Sequence, residues 1–180
     1  AVTWREGSLR VWNTQDGTEV AHRLSQGGVI RLAFSPDGRI VAYKPDRPRT
    51  SPRGDAYQSL VIWEPDSKDD PIVLPIASPY ALRFDPSGRF LAVRLGDETV
   101  RLFDVATLRV TATLNALPGA KVSKMAFSGD GALLYVEEEK NRKYALRIFR
   151  TGSGSEIARV DQSLIHLPMP ESPHVAVRDR

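Results

Sequence analysis

The residues of this 180-residue chain whose types could do chemistry are three histidines, a glycine–serine cluster, a glutamate run and a basic, proline-rich stretch. His22, His166 and His174 are scattered with no pair at ligand spacing, and cysteine is absent, so a zinc site or a thiol nucleophile has no donor set. Gly152-Ser153-Gly154-Ser155 matches the spacing of neither a nucleophile elbow nor a phosphate loop, and reads as a turn between two strands. Asp37-Gly38 and Asp130-Gly131 would suggest calcium, but a hairpin turn explains each without an ion. Glu137-Glu138-Glu139 reads as a solvated charge run. No catalytic, cofactor-binding or metal-ligating residue is therefore expected, and the chain reads as a non-enzyme that needs no cofactor.

The basic stretch is different. From Lys44 to Ser59 it carries Lys44, Arg47, Arg49 and Arg53, while Pro45, Pro48 and Pro52 stiffen it and discourage helix or strand. Loops on rigid frames carry function, which makes these four cations candidate partner-binding residues. Arg142 and Lys143, in a second charged connection spanning Glu137–Lys143, join them. Charge-assisted bonds to acidic groups of a protein partner are the expected chemistry, and its identity is not readable here. Nucleic acid is the weaker reading, since only Tyr57 lies near the basic loop and no stacking platform accompanies it.

Composition agrees with a binding module. Hydrophobic residues make up 41% and the net charge of +3 is spread along the chain. No apolar run approaches a membrane span, so no membrane partner is expected. Nothing at the start resembles a signal peptide, and a cytoplasmic location is the expectation.

The elements that must hold these residues announce themselves by repetition. Phe34-Ser35-Pro36-Asp37-Gly38-Arg39 recurs as Phe84-Asp85-Pro86-Ser87-Gly88-Arg89, as Phe127-Ser128-Gly129-Asp130-Gly131-Ala132, and faintly as Met169-Pro170-Glu171-Ser172-Pro173-His174. Proline presets φ, aspartate bonds its own backbone and glycine accepts positive φ, so each copy predicts a tight hairpin. Apolar runs follow each turn (Ile40-Val41-Ala42, Phe90-Leu91-Ala92, Leu133-Leu134-Tyr135, Val175-Ala176-Val177), as in strands covered on both faces. A third strand ends on an aromatic in Leu9–Trp12, Leu60–Trp63, Val100–Phe103 and Leu146–Phe149. Weaker fourth strands follow around Glu19–Leu24, Ile72–Ile76, Arg109–Leu114 and Glu156–Val160. The second-strand column Ala1, Ala42, Ala92, Tyr135 and Val177 repeats at roughly 44 residues, the length of a four-stranded propeller blade.

With the hairpin phrase and Gly96-Asp97-Glu98-Thr99-Val100-Arg101-Leu102-Phe103-Asp104, the chain resembles the WD-repeat family over essentially its whole length. The family's Trp-Asp dipeptide survives loosely as Trp12-Asn13, Trp63-Glu64, Phe103-Asp104 and Phe149-Arg150. The resemblance implies an all-β chain of β-propeller blades of four antiparallel strands A to D, about four repeats, forming part of a larger ring. Its segments would be 1–26 (strands B to D), 27–77, 78–117 and 118–161 as blades, and 162–180 (strands A and B). Strand A would line a central channel, where Arg31, Lys124 and His166 share a column. No repeat holds the family's Gly-His pair, and only Asp97 occupies the aspartate position, with Glu6 aligned to it. The network that staples typical blades is thus expected to be missing or rebuilt in a divergent member, and the excess of Arg over Lys points to a bacterial one. In strand C, Arg10, Arg101 and Arg147 share a column whose guanidinium heads should reach solvent or carboxylates.

The implied function is a non-catalytic protein–protein interaction scaffold. Lactonase-like and peptidase-associated propellers share the Phe-Ser-Pro-Asp-Gly hairpin and supply the alternative, an enzyme whose catalytic part lies outside this segment. The aromatic that ends strand C favours the WD-repeat reading.

Overall fold

A computed structural model describes residues 2–5, 8–24, 29–38, 41–45, 49–50, 56–57, 59–76 and 78–162. Every regular element among them is a β-strand. The described residues divide into two compact units, one within Ala1–Pro79 and one within Tyr80–Ser172.

In the first unit, β1 (Val2–Arg5), β2 (Ser8–Trp12) and β3 (Glu19–Leu24) form a three-stranded sheet. Next come β4 (Val29–Phe34), β5 (Val41–Pro45), β6 (Arg49–Thr50), β7 (Ala56–Tyr57), β8 (Ser59–Trp63) and β9 (Ile72–Pro75). Strands β4, β5, β8 and β9 make a four-stranded sheet, and β6 pairs with β7. Leu9 and Val11 of one sheet pack with Val61 and Trp63 of the other, against Ala21, Leu32, Phe34 and Val73.

The second unit repeats the pattern twice. β10 (Pro79–Phe84), β11 (Phe90–Leu95), β12 (Thr99–Asp104) and β13 (Arg109–Asn115) form one antiparallel meander. β14 (Lys121–Phe127), β15 (Leu133–Lys140), β16 (Lys143–Arg150) and β17 (Glu156–Gln162) form the next. Alternation along each strand sends Ala92, Val100, Leu102 and Leu114 of the first sheet into a shared core with Val122, Met125, Leu134, Val136 and Phe149 of the second. β11 is buried on both faces, with Leu91, Ala92, Val93 and Leu95 at 1% exposure or less. That explains its continuous apolar run.

The hairpin phrase folds as its residues dictate. Gly38, Gly88 and Gly131 all sit at positive φ. Each donates its N–H to the carbonyl three residues back, that of Ser35, Asp85 or Ser128. The first and third turn positions always hold one hydroxyl and one carboxylate, which bond each other: Ser35 with Asp37, Ser87 with Asp85, Ser128 with Asp130. The aromatic closing the third strand marks a second recurrent feature. The register slips by one residue at Val11/Trp12, Leu102/Phe103 and Ile148/Phe149, a bulge that twists the final strand of the sheet. Those final strands are edges, and Val20, Ile72, Val110, Ile157 and Val160 lie exposed on them.

Two sequence expectations are corrected. The Lys44–Ser59 stretch is not without strand: Lys44 and Pro45 end β5, and Arg49↔Tyr57 and Thr50↔Ala56 pair. Nor is Glu137–Lys143 a loop. β15 and β16 stay paired up to Lys140↔Lys143, leaving only Asn141 and Arg142 as the turn.

Candidate functional site

The connection between β13 and β14 is bonded by four charged side chains. A chain crossing from one sheet to the next leaves backbone groups without ladder partners, and these must be satisfied otherwise. Here charged side chains do it. Arg147 Nη1 donates to the Asn115 carbonyl (2.7 Å), and the Leu117 N–H donates to Glu138 Oε2 (2.9 Å). Lys140 Nζ donates to the Pro118 carbonyl (2.6 Å), and the Val122 N–H donates to Glu98 Oε2 (2.8 Å). Three of these side chains come from the sheet that follows the connection and Glu98 from the sheet that precedes it. The crossover is therefore clamped from both sides.

Beneath the clamp lies a buried ion cluster. Glu138 follows Leu134 and Val136 on one face of β15 and is 2% exposed. Arg147 shares that face on β16, stacks over the Phe149 ring at 4.8 Å and reaches Glu138 Oε1 at 2.7 Å. Its other nitrogens donate to Glu156 Oε2 at 3.1 and 2.6 Å. Burial works against the Arg147 charge, but the hydrogen bonds it donates to Glu156 and Glu138 outweigh it and hold the guanidinium above its usual range. The same bond from Arg147 holds the Glu156 carboxyl below the ordinary carboxylate range. The glutamate run is thus not a solvated one: Glu137 is also buried, taking a hydrogen bond from Ser123 Oγ at 2.6 Å with Lys124 Nζ 3.8 Å away. Strand periodicity was the available signal, since Leu134 and Val136 place Glu138 next in a buried column.

Two of the three arginines in the column meet a glutamate on the neighbouring strand. Arg10 meets Glu19 at 3.1 Å as Arg147 meets Glu156, each acid being the first residue of the final strand. In the third sheet that place is taken by Arg109, so Arg101 has no such carboxylate. Asp97 is exposed and bonds only locally, to the Thr99 hydroxyl (2.7 Å) and N–H (3.1 Å), which lower its pKa. Its neighbour Glu98, at φ 62, makes the bond to the next sheet. Side-chain bonds to the connection between the two sheets run through Glu98, Glu138, Lys140 and Arg147.

Above the clamp the β15–β16 hairpin ends in four exposed residues, Lys140, Asn141, Arg142 and Lys143. Asn141 (φ 53) and Arg142 (φ 61) both take left-handed backbone, the signature of a two-residue type I′ turn. Lys121, also exposed, pairs with Glu139 one position below.

Of the candidate partner-binding residues, Arg142 and Lys143 fall together at this tip. Lys44 belongs to β5 and Arg49 to β6, while Arg47 and Arg53 lie outside the described residues. His22 is an exposed residue of β3 beside Glu19 (2.8 Å), and His166 and His174 lie outside the described residues. The Gly152–Ser155 cluster forms the β16–β17 turn, with Gly154 N–H bonded to the Arg150 carbonyl. Among the described residues no group of three or more His, Asp or Glu is placed to hold a metal ion, and no helix is long and apolar enough to cross a membrane. No protein-family model matches the chain, and no curated protein matches it either.

Proposed function

We propose that this chain is a segment of a WD-repeat-type β-propeller that works as a non-catalytic scaffold for protein–protein interaction. The observation that carries this reading is the clamped Asn115–Val122 connection. Four charged side chains spent on four backbone groups make a crossover stiff, and a stiff crossover presents its neighbouring hairpin tips in one arrangement. Such a mounting lowers the ordering cost of binding a partner. Repetition of one four-stranded meander and the recurrent aromatic-linked bulge support the propeller assignment. β6 and β7 pair within the basic stretch that joins β5 to β8.

The test has two arms. The purified chain, offered ester, lactone and peptide substrates, is expected to turn over none of them. As bait, it is expected to retain a protein that then forms a stoichiometric complex with it from purified components. Turnover abolished by Ser153→Ala or His166→Ala would sink the scaffold reading.

A further inference from the structure

We propose that the β15–β16 hairpin tip, Lys140–Lys143 with Lys121 beside it, docks an acidic segment of a protein partner. This deepens the scaffold reading and rests on it. The argument begins with residues that work against the local fold. A type I′ turn wants glycine at its second position, because only glycine takes φ > 0 without steric cost, yet Arg142 stands there at φ 61. Like charges directly opposite in an antiparallel pair repel, yet Lys140 and Lys143 are Cα partners. Both choices give up stability at exposed positions, where packing demands neither. What the tip gains from them is concentrated positive charge. Places where local rules fail without a packing gain are where function is expected.

Two further features suit the tip to a partner. It is held in place, because Lys140 Nζ anchors it to the Pro118 carbonyl of the clamped connection. Its outermost cations are also uncommitted: neither Arg142 nor Lys143 forms an ion pair among the described residues. Four cations face one carboxylate, Glu139, within Lys121 and Glu139–Lys143. A planar guanidinium beside ammonium groups fits carboxylates on an acidic peptide. Nucleic acid fits less well. No aromatic side chain lies among the exposed tip residues to stack a base, and the cations are gathered at a point and do not follow a groove.

The test compares the full chain with its Arg142→Gly/Lys143→Thr form, using a fluorescein-labelled ten-glutamate peptide and an oligothymidylate of equal length. The native chain should bind the peptide, more tightly at low than at moderate ionic strength. The variant should bind it about tenfold more weakly. Its thermal midpoint should not fall, since the substitutions relieve φ strain and like-charge repulsion. Equal peptide binding by the two forms overturns the proposal. So does a fall in midpoint, which contradicts the strain argument, and so does tighter binding of the oligonucleotide than of the peptide. A partner captured equally by both forms would remove the tip and leave the scaffold standing, whereas substrate turnover without any captured partner would remove the scaffold itself.

Discussion

At Gly154 the backbone runs at φ 67 in the β16–β17 turn, and a Cβ added there would lie 2.3 Å from the Ala112 Cβ and 3.3 Å from Leu114 Cδ2. Gly152, in the same turn, has nothing within 4 Å of such a Cβ. One glycine is required by a close approach to β13 and the other is not. Gly154→Ala should therefore cost about 2–4 kcal/mol, from left-handed strain and overpacking together. Gly152→Ala should sit within about 0.5 kcal/mol of the native chain. Urea unfolding of the two variants checks the contrast, and equal midpoints would count against it.

Between elements, the recurrent unit is an arginine on the third strand of a sheet and a glutamate opening the fourth, as in Arg10–Glu19 and Arg147–Glu156. The second pair has a pH consequence. The Glu156 carboxyl is held below its ordinary value of 4.5, so the folded state binds its proton less readily than the unfolded chain does. The stability it contributes is complete above the ordinary carboxylate range and is lost as the pH falls through the depressed folded value. Glu156→Gln should consequently be less stable than the native chain at neutral pH. It should also lose less stability on acidification below about pH 4.5. Denaturation midpoints measured from pH 7 downward read this directly; parallel curves for the two proteins would show that the pair does not set the acid dependence.

On the scale of the molecule, consecutive sheets share cores within each unit, and in the second unit they share the clamped connection as well. Glu98 holds one end of that connection and Glu138 the other, from opposite sheets. Removing either acceptor frees the same segment, so the second removal has less left to break. Glu98→Ala and Glu138→Ala are expected to cost about 1–3 kcal/mol each. Their double variant should fall short of additivity by about 0.5–1 kcal/mol. A double-mutant cycle by chemical denaturation measures the shortfall, and strict additivity would mean that the connection does not couple the two sheets.

The sequence by itself determined the strands of the repeated meander and its Ser/Asp-x-x-Gly turns, though not β6, β7 or the two-residue β15–β16 turn, because the former depend on neighbours in the chain. Alternation, aromatic ends and the Ser/Asp-x-x-Gly phrases specify a meander wherever they occur, and β10–β17 follow them closely. Even the Arg147 contact was half legible, since a strand-C arginine needs a carboxylate or solvent. What only the tertiary structure decided is which charges are spent inside the fold and which face outward. Glu137 and Glu138 looked like surface and are buried, because a connection from another sheet brings Leu117 N–H and Asn115 carbonyl to the end of β15 and β16. Arg142 and Lys143 looked like part of a loop and stand at a two-residue turn, because pairing continues to Lys140. The counter-charges Glu138, Arg147 and Glu156 lie nine residues apart on paired strands, but the backbone groups that complete their bonding lie 21 to 32 positions away and are set by packing that local sequence does not encode.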